Sequence, residues 1–240
     1  MNCLTLLFVL ITLFSIKALA LNPTEGITRL KNTVNSVSND LTRYNNNLEF
    51  NLNMKLSNLK LTQMTNVNNA VNPALDDTRK AIAEAKKQGK YADHCYEPTR
   101  SLLADASKTA FRQLDDCVSD QLKTLQPVQQ NINSHLLNGK LLLSKLDGIA
   151  ISCASAGSPM NVQLCIAQKM PEANGAVQNY QSVANQLKST GNSLSNAAEV
   201  DTIRCFQTPM SNLHKSVSSA RISATTCIHN ARSARNSKKY

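Results

Sequence analysis

The 240-residue chain has no tryptophan, only five tyrosines and five phenylalanines, and just seven glycines and seven prolines. Glycine and proline together reach about half of their usual share of roughly 12%. Sandwiches, barrels and doubly wound sheets need frequent tight turns, which these residues supply. Long helices need few turns, so the shortage points to an all-α chain. Acidic groups are also scarce, 16 against 26 Lys and Arg, for a formal net charge of +10. Gly-x-Ser-x-Gly, phosphate-loop and dinucleotide patterns do not occur. The longest apolar run, Leu4 to Ile16, is too short for a membrane anchor of about 18–20 residues.

That run is broken only by Thr5, Thr12 and Ser15, and is followed by Lys17 and Ala18-Leu19-Ala20. It has the form of a signal peptide over residues 1–20 with a small-x-small cleavage site, which predicts a secreted, extracellular protein without stable membrane insertion. Cleavage removes Cys3 and leaves Cys95, Cys117, Cys153, Cys165, Cys205 and Cys227. An even number of cysteines in a secreted chain predicts three disulfides. The only Asn-x-Ser/Thr triplet, Asn22-Pro23-Thr24, is blocked by its proline. Basic residues gather towards the end, Arg232, Arg235, Lys238 and Lys239 among them. A basic tail over 233–240 suits the negative pole of a helix better than it argues for a polyanion partner.

Apolar residues then step Ile27, Leu30, Val34, Val37, Leu41, Tyr44, Leu48, the 3-4 alternation of a coiled-coil seam. The phase shifts and resumes as Leu48, Leu52, Leu56, Leu59, a stutter or a break near Asn51 to Asn53. One helix from 27 to 71 would run about 65 Å. Asn72-Pro73 reads as a cap and first-turn proline of a short helix over 73–88, closed by Gly89. Four more helices follow: one from Pro98 with Leu103, Ala110 and Leu114, one from Pro127 with Ile132, Leu146 and Cys153, one from Pro171 with Val177, Tyr180 and Ala184, and one after Pro209 with Leu213, Val217 and Ala220. Short connections at Gln126-Pro127, at Ala156 to Pro159 and around Ala198 to Thr202 predict antiparallel neighbours. The expectation is an all-α, disulfide-stapled antiparallel helical bundle: a long N-terminal amphipathic segment over 21–90 and a four-helix bundle over 91–232.

Cys95 and Cys117, like Cys205 and Cys227, lie 22 residues apart on one expected helix, about 33 Å. A disulfide needs Cα atoms within about 7 Å, so neither pair bonds internally. Tracing an up-down bundle brings Cys117 to Cys205 at one end. It leaves Cys153–Cys165 across the Gly157-Ser158-Pro159 turn and Cys95–Cys227 at the other. The rival set below is Cys95–Cys153 with Cys165–Cys227.

Candidate chemistry is thin. His94, His135, His214 and His229 have no helical i, i+3 or i+4 relation. His94 adjoins Cys95, but neighbouring side chains point apart, and zinc needs clustered free thiolates or imidazoles. Asp115-Asp116 is a carboxylate pair whose members face different directions on a helix. No catalytic, cofactor-binding or metal site is assigned, no cofactor is expected, and neither enzyme chemistry nor nucleic-acid binding is favoured.

The equal Cys-x21-Cys brackets flanking Cys153-x11-Cys165, the Cys95-Tyr96 and Cys205-Phe206 openings and the Asn-rich lead-in resemble the TsetseEP-domain family of secreted insect proteins over about residues 91–230. That family has no established activity, so the resemblance implies only cysteines as disulfide partners. The acidic Glu-Pro repeat of its naming member has no counterpart here. The expected function is that of a secreted, non-enzymatic interaction or structural protein of an insect fluid (gut lumen, gland or haemolymph). It would engage a protein partner, or itself, through the N-terminal helix. The alternative is a carrier of a small hydrophobic ligand or lipid between helices, for which the Leu141-Leu142-Leu143 run is the loose pointer.

Overall fold

The computed structural model describes residues 23–231; the expected signal peptide, with Cys3, and the basic tail lie outside the described residues. Four long helices account for nearly all of it: α1 Pro23–Lys87, α2 Tyr96–Lys123, α3 Gln126–Ala154 and α4 Pro159–His229, with a 3-10 turn at Asp93–Cys95. No strand occurs among the described residues. The protein is an all-α, disulfide-stapled antiparallel bundle with a long amphipathic N-terminal helix.

Local chemistry explains the helix ends. Pro23 and Pro159 open α1 and α4, where a missing N–H costs nothing because the first-turn donors lack helical partners. Ser158 caps α4, its Oγ accepting from the Asn161 N–H at 3.3 Å. Gly89 ends α1 at φ 77°, with the Gly89 N–H donating to the Lys86 carbonyl and the Lys90 N–H to the Ala85 carbonyl. This is the paired closure that a left-handed residue permits and that a Cβ would strain.

Three prolines expected to begin helices lie inside them. Pro73 sits within α1, and Pro171 and Pro209 sit within α4. The expected breaks at Asn72-Pro73 and around Ala198 to Thr202 do not occur, and the two helices expected after Pro171 and Pro209 are one. An interior proline costs about 3 kcal/mol. The buried line, however, runs in phase across each: Val67, Val71, Ala74, Thr78 and Ile82 across Pro73, Ile166, Ala173, Val177 and Tyr180 across Pro171, and Thr202, Phe206, Leu213 and Val217 across Pro209. A break would turn one side of each line out of the core, and each large apolar side chain withdrawn from water is worth about 1.5–3 kcal/mol.

The chain forms two compact units, one holding the chain up to Asn47 with Pro127–Asn192, the other Leu48–Gln126 with the chain from Ser193. This grouping cuts across the expected 21–90 and 91–232 segments, because α1 packs as a member of both units rather than standing apart. It also explains the phase shift. The seam Ile27, Val34, Leu41, Leu48 gives way to Leu52 and Leu56 at the unit boundary, and the helix carries the stutter without breaking. Across the Thr124-Leu125 connection the chain passes from the second unit, which holds α2, to the first, which holds α3.

In the first unit, Lys31 meets Asp147 and Asn45 meets Asn133, so α3 runs antiparallel to α1. Ser38 meets Tyr180 and Asp40 meets Lys188, so α4 runs parallel to α1. Its core is Ile27, Val34, Leu146, Ile166, Ala173, Val177 and Tyr180. In the second unit, Lys60 meets Asp115 and Arg79 lies over the Tyr96 ring, which makes α2 antiparallel to α1. Lys55 meets Glu199 and Asp77 meets Arg221, which keeps α4 parallel to α1. Leu52, Leu56, Leu103, Leu114 and Leu213 are fully or almost fully buried there.

Candidate functional site

The six described cysteines pair as Cys95–Cys227, Cys117–Cys205 and Cys153–Cys165, with Cα separations of 5.8, 5.9 and 5.6 Å. Two tie α2 and its leading 3-10 turn to α4 in the second unit; the third closes the α3–α4 turn of the first. His94 is not turned away from Cys95, contrary to expectation. The tight 3-10 turn swings its ring so that Nε2 lies 3.7 Å from Cys95 Sγ and 3.6 Å from Cys227 Sγ. These three residues cluster as metal ligands would. Both sulfurs are spent on each other, however, and a disulfide lacks the thiolate charge that binds zinc. His135 is buried, whereas His214 and His229 are exposed. Of the Asp115-Asp116 pair, Asp115 is engaged by Lys60 at 2.7 Å.

A polar cluster lies inside the first unit. The His135 Nε2 lies 2.9 Å from the Tyr180 carbonyl, and its ring stacks on Tyr180 at 4.3 Å between centroids. The Tyr180 hydroxyl shares a 2.8 Å hydrogen bond with Ser38 Oγ. Gly139, one turn beyond His135, makes room for that hydroxyl: a Cβ there would stand 2.7 Å from Tyr180 Cζ. One side chain from each of three helices thus meets at one level, and the His135 Nε2 and both hydroxyls have partners, the usual condition for burying such groups. Next to it, the Tyr44 hydroxyl donates to the Lys188 carbonyl at 2.8 Å and lies 3.0 Å from Asn192 Oδ1. Burial pushes the Tyr44 phenol above its ordinary range. Asp40 is held below the ordinary carboxylate range by the hydrogen bond from Lys188 and then by its charge.

A groove of about 350 Å³ opens between α3 and α4 in the same unit. Leu142, Leu146, Ile149, Ala173 and Ala176 supply its apolar lining, and Lys145, Lys169 and Glu172 supply charge. Leu146 and Ala173 also belong to the core, so the groove reaches inward from the surface. Gly148 lines it, and a Cβ there would meet nothing within 4 Å. Packing therefore does not demand that glycine, although it weakens α3 by about 1 kcal/mol relative to Ala. Of the Leu141-Leu142-Leu143 run, only Leu142 lines the groove; Leu141 is 63% exposed and Leu143 packs on the core.

The seam expected to seek a partner helix finds one within the chain. Val34, Leu41, Leu52 and Leu56 are 0% exposed. A different line on α1 faces out: Phe50, Met54 and Leu61 are 60%, 50% and 57% exposed. With half-buried Ser57 between them, they step 4-3-4 along one side of the helix. At 3.6 residues per turn, Leu48, Leu52 and Leu56 lie about half a turn away. Inspection of the sequence missed this second line because Phe50 and Met54 flank the shifted seam and read as noise beside it. The Lys145 and Lys169 positions carried no local signal, as only the pairing of α3 with α4 brings them together.

No helix among the described residues is long and apolar enough to cross a membrane. No family model matches the chain, and no curated protein matches it.

Proposed function

We propose that the protein is a secreted, non-enzymatic helical interaction protein that acts through its helix faces, and that its principal surface is the outward line Phe50–Met54–Leu61 on α1. The single observation that carries this is an α-helix apolar on two opposite sides, one already used inside the chain. Three disulfides support an oxidising, extracellular compartment, as does the signal-like segment before them. The resemblance of the cysteine spacing to TsetseEP-domain proteins supports an insect fluid such as gut lumen, gland secretion or haemolymph.

The occupant of the outward line is a second copy of the chain. Its 4-3-4 spacing is what a helix offers to a like helix, and a two-fold axis lets one patch meet itself. Charge favours the same partner. The chain carries a net charge of +10, or +9 without the signal-like segment and its Lys17, and so repels its copies, yet the two lysines near the line, Lys55 and Lys60, are neutralised by Glu199 and Asp115. Three anchors make less than the roughly 1,600 Å² of a standard stable interface, so the association depends on concentration. Light scattering after size exclusion, over a concentration series, tests it. The expected result is a rising mass that Met54→Glu returns to the monomer value. A wild-type protein that stays monomeric up to about 1 mM, the dissociation constant of a very weak complex, refutes it.

A further inference from the structure

We propose that the α3–α4 groove of the first unit binds a single-chain amphiphile with one anionic head, a fatty carboxylate. Its volume of about 350 Å³ lies at the lower end of small-molecule sites, which run from about 300 to 1,000 Å³. At about 30 Å³ for each water-sized group, it holds a chain of roughly ten such groups. Leu142, Leu146, Ile149 and Ala173 give that chain an apolar bed continuous with the core.

The head is assigned by charge. Lys145 comes from α3 and Lys169 from α4, and neither has an ion-pair partner among the described residues. Elsewhere in this unit the lysines that face a neighbouring helix are taken, Lys31 by Asp147 and Lys188 by Asp40. Glu172 lines the same groove and offsets one of the two charges. One uncompensated positive charge beside an apolar trough matches a monocarboxylate better than a dianion or an uncharged alcohol. Gly148 completes the argument: its missing side chain keeps the trough open where no neighbour requires a glycine.

Calorimetric titration of the whole protein with decanoate, and with 1-decanol as the uncharged chain, tests the site. Gly148→Leu adds a Cβ that meets nothing within 4 Å, extends a side chain into the groove and favours the helix, so the fold is kept. Gly175→Leu places the same side chain into open space on α4, outside the lining, and serves as its control. Saturable binding of one decanoate per chain is expected, weakened roughly tenfold or more by Gly148→Leu and unchanged by Gly175→Leu. Joint Lys145→Gln and Lys169→Gln substitution should remove the preference for decanoate over decanol. Absence of saturable binding, or full binding by Gly148→Leu, overturns the site; equal affinity for the two probes in the wild type overturns the carboxylate assignment. None of these outcomes depends on self-association through α1, because the variants leave Phe50, Met54 and Leu61 untouched.

Discussion

Replacing Gly139 by alanine should destabilise the protein, although the same change in a solvent-facing helix stabilises. On propensity alone, Gly→Ala gains about 1 kcal/mol in a helix interior. At position 139 the new Cβ would stand 2.7 Å from Tyr180 Cζ and 3.0 Å from Ser38 Oγ. Tyr180 cannot simply withdraw. Its ring is 4% exposed, stacked on His135 at 4.3 Å, and its hydroxyl is bonded to Ser38. Overpacking of this kind costs about 1–3 kcal/mol, and displacing the hydroxyl from Ser38 in buried surroundings costs about 1–3 more. Set against the propensity gain, the net loss is about 3 kcal/mol. Urea unfolding followed by far-ultraviolet circular dichroism measures it. Gly148→Ala provides the internal reference, because its Cβ meets nothing within 4 Å and should gain up to about 1 kcal/mol. Tyr180→Phe supplies the second arm. It removes the atom nearest the new Cβ, so the double variant Gly139→Ala/Tyr180→Phe should lose less than the sum of the single losses. Gly139→Ala as stable as the wild type, or strictly additive losses in the cycle, would refute the packing argument.

Two further expectations concern covalent and ionic ties. Removing the disulfides one pair at a time by Cys→Ala should cost least for Cys153–Cys165, whose separation is 12, about 3 kcal/mol. Cys117–Cys205 and Cys95–Cys227, at 88 and 132, should each cost about 4–5 kcal/mol; urea midpoints at constant slope read the order, and a reversed order contradicts the chain-entropy account. The Asp40 and Tyr44 sites should weaken the first unit at opposite ends of the pH scale. Asp40, its pKa lowered by Lys188, contributes stability above the unfolded value of 3.8 that disappears as pH falls through the lower folded value. Tyr44, its pKa raised by burial, contributes below 10.0 and loses that contribution as pH rises through the higher folded value. Because the Asp40 side chain is 53% exposed, its part stays below about 1 kcal/mol. Asp40→Asn should flatten only the acid limb of stability against pH and Tyr44→Phe only the alkaline limb; an unchanged limb in either variant removes that group from the account.

Much of the architecture was legible in the chain because it follows from local rules. The scarcity of turn residues announced helices, Gly89 and the Gly157-Ser158-Pro159 turn marked real ends, and the seam from Ile27 to Leu56 is buried as its period requires. What misled was proline. Pro98 and Pro127 do lie in first turns, whereas Pro73, Pro171 and Pro209 are interior, and the two kinds are alike to any rule that reads only neighbours. The difference lies in whether the buried line continues in phase on both sides, which is a tertiary matter. Helix length excluded bonds within one helix, and an up-down trace then chose among the remaining pairs; the preferred set is the one observed, although the trace inserted a turn that α4 does not make. The groove was out of reach because Lys145 and Lys169 are ordinary surface lysines until α3 and α4 are laid side by side.

Covalent and ionic ties divide the molecule unevenly. Among the described residues every disulfide joins α2, its leading 3-10 turn or α3 to α4, and none reaches α1. Conversely, each ion pair between different helices among the described residues includes α1: Lys31–Asp147, Lys188–Asp40, Lys55–Glu199, Lys60–Asp115 and Arg221–Asp77. Reduction therefore acts on the ties of α2 to α4 in the second unit and of α3 to α4 in the first, while salt acts on the seating of α1, because half-exposed ion pairs are screened and individually weak. What holds α1 against that screening is the buried line from Val34 through Leu56. The helix that presents Phe50, Met54 and Leu61 to solvent is thus the one whose position is set by packing and solution conditions rather than by covalent bonds. A shift of that helix towards a partner would break no disulfide, but it would cost packing along the buried line as well as the weak ion pairs, so the apolar face is presented from a fixed seat.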